Sequence, residues 1–397
     1  MYLNKKFDIV IFGFGLVSKL FLYSISHLNL KIAVINRKRK HSLPFETKRG
    51  IALNYSSCQY LEKIGISELL ESNANEIKQI FISEHGGKSK IELHSKHIRK
   101  KFLSKVLEES HLEKFFLEKL RYKNIFFFNN HVIRKMKKIK NGWQILLKKK
   151  AELSSISITT NLLIGIDGSN SFTSKILKIK KTLHNYESSA FVLNCNVSTR
   201  NKNIAYQRIF NNGIIAALPI KENIFKIVVT ASNQETSYLN LRCKNQLRIY
   251  LQYLIGGSIG EIKKLTKPIS YVLLGTRSNE IVKKNFLLLG NAAITLNPIS
   301  AQGFNLAIKD IDRIVSIIKK SLSFYKFELS YKDLLYYQLI RNYEHNLLFK
   351  NINNIYYFFK TNYYFPFHLR QTIFLIFNKI PYFKKKFILY KQGVLVE

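Results

Sequence analysis

The first fifty residues alternate between short apolar runs and one amphipathic stretch. Residues 7–12 and 32–35 are apolar runs of strand length, whereas the apolar residues within 16–28 recur three or four positions apart. The short runs predict strands, and the wider spacing predicts a helix between them. A strand, a helix and a strand in this order predict a parallel sheet with a crossover helix, which is the arrangement of a dinucleotide-binding unit.

Beyond residue 50 the pattern predicts an α/β protein whose second domain is rich in strands. Glycine-containing turns at 86–87 and 141–142 separate short apolar segments, which favours hairpins. The predicted elements are a hairpin of 79–83 and 91–94, a helix at 112–120, an antiparallel meander of 126–128, 143–147 and 155–159, buried strands at 162–166 and 286–289, a strand-rich segment at 190–230, an amphipathic helix at 306–318 and helices from about 331 onward.

Composition indicates a folded protein of two or three domains. The chain has 397 residues, of which 46% are hydrophobic, and this is ample for a packed core and excludes a disordered chain. Cys58, Cys195 and Cys243 lie far apart, without the paired spacing of a metal site, so we expect no metal and a reducing compartment. We find no uncharged apolar run of membrane-spanning length and no signal-peptide pattern, and we therefore expect a cytoplasmic protein.

The basic excess changes this picture little. The formal net charge is +39, but the Lys and Arg residues are dispersed in short runs over the whole length. A charge balance bears on solubility and non-specific binding rather than on fold. The sequence has neither zinc-finger spacing nor the aromatic motif of ribonucleoprotein domains, so we expect no nucleic-acid partner.

The turn between the first predicted strand and helix carries a phosphate-binding pattern. Gly13 permits a tight turn, and Gly15 lets the backbone approach a pyrophosphate. Ser18 stands where a third glycine is usual, and its small side chain still allows close packing of helix and strand. Asn36 ends the second strand, where an acidic residue usually binds the ribose hydroxyl. An amide oxygen can accept that hydrogen bond, at a cost of about 1 kcal/mol relative to a carboxylate.

Two later glycine turns also follow apolar strands. Asp167-Gly168 follows the strand at 162–166, and Gly290-Asn291 follows the strand at 286–289. Either turn alone is commonly a simple loop. Their order along the chain is more informative, and the segment 289–306 (LGNAAITLNPISAQGFNL) is the most specific stretch of the sequence.

With these motifs in this order, the chain resembles the FAD-dependent aromatic-ring hydroxylases, most closely the branch that hydroxylates polyprenylated phenols in ubiquinone biosynthesis. The late motif of that branch runs Gly-Asp-Ala-Ala-His, His-Pro, Gly-Gln-Gly and Asn-Leu. The segment 289–306 has a similar pattern in the same order. Further points of resemblance are Arg49 with Ala52-Leu53, the segment 166–171, Ala205-Tyr206-Gln207-Arg208, Gly213, Ala217-Leu218-Pro219, Asp310, and Tyr337 with Arg341. The similarity spans essentially the whole chain.

The resemblance implies an FAD-binding Rossmann-like domain of the glutathione-reductase type, an inserted sheet-rich substrate domain and C-terminal helices. By position, the discontinuous FAD-binding domain takes 1–72, 99–180 and 277–330. The substrate domain takes 73–98 and 181–276, and the helical region takes 331–397.

The resemblance also implies roles for individual residues. The residues expected at FAD are Gly13, Gly15, Ser18, Asn36, Arg49, Asp167, Gly168, Gly290, Asn291, Pro298, Gln302, Gly303 and Asn305. The helix N-terminus after Gly303 favours negative charge and suits an anionic reduced flavin. Tyr206 and Arg208 are candidates for the substrate side, although a strand tyrosine is more commonly core packing. The implied reaction uses NAD(P)H and O₂ to hydroxylate the phenol ring, and spacing identifies no catalytic base.

The sequence departs from the family at several of these positions. The departing residues are Ser18, Asn36, Asn291, Ile294, Asn297 and Ala301. Ala301 is the most consequential, because its methyl group can block a close backbone approach or demand an unfavourable backbone angle. Three interpretations stay open. The protein is an active polyprenylphenol hydroxylase that has drifted in sequence, a non-catalytic homologue that serves as a partner in an assembly of ubiquinone-biosynthesis proteins, or a hydroxylase of small soluble aromatic compounds.

The C-terminal region mixes aromatic and basic residues, with aromatic side chains across 356–377 and Lys384, Lys385 and Lys386 close behind. Such a surface can rest on an anionic membrane, where a polyprenylated substrate is collected. It can equally be a packed helical cap with a solvated basic face. The first alternative predicts peripheral contact at the inner face of the membrane.

Overall fold

The computed structural model describes residues 4–36, 50–120, 123–149, 155–199, 201–211, 213–322, 327–360 and 366–392. The strands, in chain order, are β1 (Asn4–Phe12), β2 (Ile32–Asn36), β3 (Gly50–Asn54), β4 (Asn75–Ile77), β5 (Gln79–Glu84), β6 (Lys90–His94), β7 (Ser104–Glu108), β8 (Ile125–Asn129), β9 (His131–Ile139), β10 (Gly142–Lys149), β11 (Ser155–Gly165), β12 (Lys181–Ser198), β13 (Ile204–Phe210), β14 (Gly213–Lys221), β15 (Ile224–Ser232), β16 (Glu261–Leu265), β17 (Ile269–Ser278), β18 (Val282–Lys283), β19 (Phe286–Leu288) and β20 (Ile294–Thr295). The α-helices are α1 (Leu16–Ile25), α2 (Tyr55–Lys63), α3 (Ser67–Asn73), α4 (Glu109–Lys119), α5 (Phe172–Ile176), α6 (Asn233–Leu241), α7 (Lys244–Ile255), α8 (Gly303–Leu322), α9 (Tyr331–Lys360), α10 (Phe367–Lys379) and α11 (Pro381–Lys391).

The first sheet has a parallel core in the order β19-β11-β1-β2-β8. β1 and β2 are neighbours joined through α1, which confirms the predicted strand, crossover helix and strand. Their apolar residues are buried on both faces, because a parallel sheet is covered on both sides. α1 and α8 contact each other beside this sheet, and their apolar residues belong to the same core.

The predicted antiparallel meander is wrong in its first strand. Residues 126–128 belong to β8, which pairs in parallel with β2. The meander is formed by β9, β10 and β11 instead, with the predicted turn at Asn141-Gly142 between the first two. The segments expected at 155–159 and 162–166 are one continuous strand, β11, which pairs with β1 over most of its length.

The second sheet runs in the order β20-β17-β12-β15-β14-β13-β5-β6, and β16 pairs with β12. It contains the predicted hairpin, now β5 and β6, and the predicted strand-rich segment. One face, which we call the outer face, packs under α6 and α7. The opposite inner face packs against the third sheet and the C-terminal helices. The division into an FAD-binding and a substrate domain stays a prediction.

The third sheet is small, in the order β3-β7-β4, and lies between the first two. The C-terminal helices α9, α10 and α11 pack on β17, on β6 and on the 3₁₀ turn Ser95–Ile98 respectively. Among the described helices, none is both long enough and apolar enough to cross a membrane.

A buried ionic network joins α8 to α9. Asp310 is fully buried, and its carboxylate accepts a hydrogen bond from Arg341 Nε at 2.5 Å. His345 Nε2 lies 3.1 Å from the same oxygen. Arg341 also pairs with Glu344, which in turn pairs with Lys309 at 3.0 Å. Burial raises the pKa of Asp310, but Arg341 and His345 outweigh this effect, and the net pKa lies below its usual value.

Candidate functional site

The glycine turn after β1 is held against the end of β11. Gly13 has φ +100°, a conformation that L side chains rarely adopt. A Cβ atom at this position would lie 2.3 Å from the backbone oxygen of Ile166 and 2.9 Å from Cα of Asp167. The turn therefore requires glycine, and it brings Gly13 and Asp167 into direct contact.

Gly15 presents an open backbone surface at the start of α1. It is the N-cap residue, and a Cβ atom there would meet nothing within 4 Å. No side chain in the described part of the chain caps α1, and its first turn holds no acidic residue. The first N–H groups of α1 and its positive end therefore suit an anionic ligand.

Ser18 takes the place of the third glycine without disturbing the packing. Its side chain is fully buried, and Oγ donates a hydrogen bond to the backbone oxygen of Gly13 at 2.9 Å. The hydroxyl thus ties the first turn of α1 to the glycine turn. The buried side chain therefore helps to hold the turn, and its direct contact with FAD stays a prediction.

Asp167 and Gly168 follow β11 at the same edge of the sheet. The Asp167 carboxylate accepts hydrogen bonds from the backbone N–H and from Oγ1 of Thr173, both at 2.9 Å. Gly168 has φ +86°, and its missing Cβ faces open space. Burial lowers the pKa of the nearby Lys181, and Asp167 partly opposes that shift. Asp167 therefore fixes the loop into α5, and the backbone around Gly168 stays approachable.

Gly290 completes this edge of the sheet. It has φ +58°, and a Cβ atom there would lie 3.1 Å from Cγ1 of Val17 in α1. The turn after β19 thus lies against the helix that begins at Gly15. Asn291 is exposed, and its backbone oxygen accepts a hydrogen bond from Thr295 Oγ1 at 3.1 Å. The carboxyl ends of β1, β11 and β19 therefore meet, as a dinucleotide site in an α/β sheet requires.

Asn36 lies at the end of β2, next to the strand that leads into the glycine turn. It is buried, and its backbone oxygen accepts a hydrogen bond from the backbone N–H of Asn130 at 2.9 Å. This position agrees with the expected place of a ribose-binding residue. Arg49 lies outside the described residues.

The loop before α8 contains the remaining predicted positions. Pro298 begins a 3₁₀ turn, and Gln302 and Gly303 lead into α8. Gln302 Nε2 donates to the backbone oxygen of Lys391 at 3.1 Å, so this side chain contacts the C-terminus of α11. Within the described residues, the first turn of α8 contains no acidic residue. Its N-terminus therefore favours a negative ligand group.

The side-chain amide of Asn305 makes hydrogen bonds to three backbone groups. Its Nδ2 donates to the oxygens of Ala52 and Ala301, and its Oδ1 accepts from the N–H of Asn54 at 2.9 Å. The side chain thus joins β3 to α8. Its contacts support a role in shaping the loop, and direct contact with FAD stays a prediction.

Ala301 adopts the strained conformation expected of this substitution, with φ +50° and ψ 33°. We expect Ala301→Gly to raise the free energy of unfolding by about 0.5–1 kcal/mol, because glycine adopts this region without the clash of Cβ. Urea unfolding followed by circular dichroism measures the change. The control is Ala307→Gly inside α8, which we expect to lower stability by about 1 kcal/mol. Equal losses in both variants would contradict the assignment of strain.

Tyr206 and Arg208 lie away from this edge. Tyr206 belongs to the apolar cluster beneath α6 and α7, and its ring stacks on Phe81 at 5.7 Å between centroids. Burial raises the pKa of its hydroxyl. Arg208 contacts the backbone at Gly256, just after α7. Both side chains therefore face the outer side of the second sheet, and these contacts support the core-packing interpretation.

Lys226 is a candidate that the sequence analysis missed. It lies in β15 on the inner face, is 2% exposed, and its Cδ would lie 2.8 Å from a Cβ atom on Gly50. Asn194 is its direct cross-strand neighbour and is also buried. The available signal was a single cation between the apolar residues of β15. Lys226 brings the inner face of the second sheet against the start of β3.

A cavity of about 50 Å³ lies beside the start of α8. Gln302, Asn305, Leu348 and Tyr390 are among its lining residues. This volume accommodates a few water molecules but not a flavin ring. It does not include the glycine turns, so we assign the cofactor site from those turns and not from the cavity.

Comparison with known proteins defines the class of this site. The model of the FAD binding domain family matches residues 15–323, and the chain therefore belongs to this family of FAD-binding proteins. The chain is 23% identical to the ubiquinone hydroxylase UbiM of Neisseria meningitidis, over 80% of this chain and 69% of that protein. It is 21% identical to the mitochondrial ubiquinone biosynthesis monooxygenase COQ6 of Schizosaccharomyces pombe, over 80% of this chain and 77% of that protein.

The fold is that of solved aromatic hydroxylases. The p-nitrophenol 4-monooxygenase PnpA of Pseudomonas putida matches with a TM-score of 0.80 at 13% identity, over 99% of this chain and all of that chain. The probable FAD-dependent monooxygenase PqsL of Pseudomonas aeruginosa matches with a TM-score of 0.73, at 17% identity, over 90% and 97%. The predicted α/β FAD-binding fold, FAD as the cofactor and the class of FAD-dependent monooxygenases are confirmed.

The residues present fit FAD. Gly13 forces the turn, Gly15 leaves the backbone open and α1 offers its N-terminal N–H groups to a pyrophosphate. Asn36 ends β2, where a ribose-binding residue is expected, and the Ser18 hydroxyl donates its hydrogen bond within the protein. In these turns the substitutions relative to the family leave the cradle intact, and the strain they introduce is confined to Ala301.

Proposed function

We propose that this protein hydroxylates the aromatic ring of a polyprenylated phenol in ubiquinone biosynthesis, with NAD(P)H as reductant and O₂ as oxidant. The observation that carries the proposal is the meeting of three glycine turns at the carboxyl ends of β1, β11 and β19. The relatives named above are hydroxylases of this pathway. When bound, FAD supplies the activation of O₂ and the transfer of one oxygen atom to an electron-rich ring.

The chain's own residues bind and orient in this proposal. The N-terminus of α1 and the backbone at Gly15 hold the pyrophosphate, and Asn36 accepts a hydrogen bond from the ribose. Gly168 and Gly290 keep the neighbouring backbone accessible. The N-terminus of α8, after Gln302, stabilises negative charge on the ring system. No residue is assigned as a catalytic base.

The phenol ring would lie between the loop before α8 and the inner face of the second sheet. On that face Lys226 packs against Gly50 at the start of β3, and Asn194 is its cross-strand neighbour. Apolar residues on this face would keep water away from the reacting groups and so limit unproductive side reactions. We propose this face, rather than Tyr206 and Arg208, as the substrate side.

A polyprenyl tail keeps the substrate within a bilayer, so we propose that the protein collects it at the inner face of a membrane. Contact with other ubiquinone-biosynthesis proteins is a further proposal. Both are consistent with a basic chain that carries a formal net charge of +39.

The test is substrate-dependent oxidation of NAD(P)H by the FAD-loaded protein. A short-chain prenylated phenol should accelerate NAD(P)H oxidation and give a product heavier by one oxygen atom, with the label of ¹⁸O₂ in the product. The control is the same phenol without a prenyl chain, which should react more slowly. A protein that binds FAD but shows neither acceleration nor labelled product would support the non-catalytic alternative.

A further inference from the structure

The helix pair α10–α11 forms a clasp that is fixed at both ends. At its start, Arg370 is buried and its Nε donates to Glu84 Oε1 of β5 at 3.0 Å. Gln371 Oε1 accepts from the N–H of Ser89 at 2.9 Å. These contacts anchor the first turns of α10 to the β5–β6 hairpin. The position of the outward face of α10 is thereby fixed.

The end of the clasp is fixed at α2. The Gln392 side chain accepts from the N–H of Tyr55 at 2.6 Å and donates to the oxygen of Leu103 at 2.7 Å. Its backbone oxygen accepts from Ser56 Oγ at 2.7 Å. Lys391 also contributes its backbone oxygen to Gln302, as described above. The clasp therefore ends beside the loop that precedes α8.

The outward side of the clasp is apolar where solvent would favour polar residues. Leu369, Leu375 and Ile376 lie on the exposed side of α10 and are 46%, 51% and 51% exposed. Ile380, Tyr382 and Phe383, in and after the turn between the helices, are also exposed. The opposite side packs inward through Phe374 and Ile388. Several large apolar side chains exposed on one helix pair are typical of an interaction site.

The charged side chains of the clasp itself all carry the same sign of charge. The sequence has no Asp or Glu between His345 and Val396, while it has eight Lys or Arg residues there. Lys379, Lys384, Lys385 and Lys386 flank the exposed apolar residues of the turn. Apolar and aromatic side chains bordered by lysines of the same helix pair are complementary to an anionic lipid headgroup layer.

We propose that residues 375–386, which comprise the end of α10, the turn after it and the start of α11, form a docking surface for an anionic lipid bilayer. Aromatic and aliphatic side chains enter the headgroup boundary, and the lysines contact the lipid phosphates. Because Lys391 at the end of the clasp contacts Gln302, docking would place the bilayer on the same helix pair that reaches the loop before α8. This surface would be the place at which the protein collects its polyprenylated substrate from the membrane, as proposed above. Its affinity for lipid does not depend on the hydroxylation reaction.

The experiment is co-sedimentation of the full chain with vesicles of phosphatidylcholine and phosphatidylglycerol in equal parts. We expect binding to these vesicles and much weaker binding to pure phosphatidylcholine. The triple variant Lys384→Gln, Lys385→Gln and Lys386→Gln should bind on the order of a hundredfold more weakly, at about fivefold per lysine. The double variant Ile376→Ser and Phe383→Ser should lose the binding that persists at high salt.

The matched control removes the same charge elsewhere. The control is the triple variant Lys137→Gln, Lys138→Gln and Lys140→Gln, whose lysines are exposed in and just after β9. Its affinity for the vesicles should stay within a few fold of that of the wild type. Equal losses in both triple variants would mean attraction by net charge alone and would overturn the proposal. A wild-type protein that does not bind the vesicles would also overturn it, leaving the surface to a protein partner. FAD absorbance of each variant separates these outcomes from failure of the hydroxylase proposal.

Discussion

Replacing Arg341 by methionine is expected to lower the free energy of unfolding by about 3–5 kcal/mol, because the change leaves buried carboxylates without their partner. Among the described residues, Asp310 would keep only His345 as a partner, and Glu344 would keep only Lys309. Methionine keeps an unbranched apolar stem at this position, so the loss reports mainly on the missing guanidinium. Urea unfolding followed by fluorescence and circular dichroism measures it.

The double variant Asp310→Leu with Arg341→Met is the control. Removing both charges together is expected to cost less than the single Arg341→Met change, since no uncompensated carboxylate of Asp310 remains. A double variant less stable than the single variant would contradict this account of the network.

The same network makes the stability of the folded protein depend on pH in the acid range. The pKa of Asp310 is lower in the folded protein than in the unfolded chain, where it is about 3.9. Its contribution to stability is therefore fully present above that unfolded value and is lost as the pH falls through the folded pKa. The double variant should lack this part of the acid dependence.

Replacing Gly13 by alanine is expected to cost roughly 2–5 kcal/mol of stability. The new Cβ atom would lie 2.3 Å from the backbone oxygen of Ile166, and a backbone atom cannot move away as a flexible side chain can. The φ of +100° adds strain of its own. Thermal unfolding of the FAD-free protein measures the effect without the cofactor.

Gly15→Ala is the matched variant for this turn. Its Cβ atom would face open space, so the FAD-free protein should lose less than about 1 kcal/mol, the ordinary cost of alanine at an N-cap. If both glycine variants destabilise the FAD-free protein equally, the distinction between a packing glycine and a ligand-facing glycine is wrong.

The sequence predicted the elements whose signals are local. The β1-α1-β2 unit, the β5–β6 hairpin and helix α8 have clear periodicity and turn residues, and each is confirmed. β9 was missed because lysines cover an exposed strand of the meander and hide its apolar alternation. Strand β11 of the same meander was divided in two because Thr160-Asn161 resembles a turn. In the fold Thr160 is buried, and its Oγ1 donates to the oxygen of Leu162 at 2.8 Å.

The site was predicted as far as backbone geometry determines it. Gly13, Gly168 and Gly290 all have positive φ and lie at one edge of the sheet. The direction of side chains was not predictable, because the face that a strand residue occupies depends on a register set by distant strands. For this reason Tyr206 was a substrate candidate although it packs on the outer face, and Lys226 on the inner face was overlooked.

The central claim is that the three glycine turns form a working FAD site, and the visible absorption spectrum of the purified protein tests it most directly. The spectrum is recorded before and after addition of FAD and removal of the excess, for the wild type and for Gly15→Ala. The wild type should retain a bound flavin spectrum, and Gly15→Ala should remain folded but bind FAD at least about tenfold more weakly. A folded wild-type protein that stays colourless after FAD addition would contradict the account.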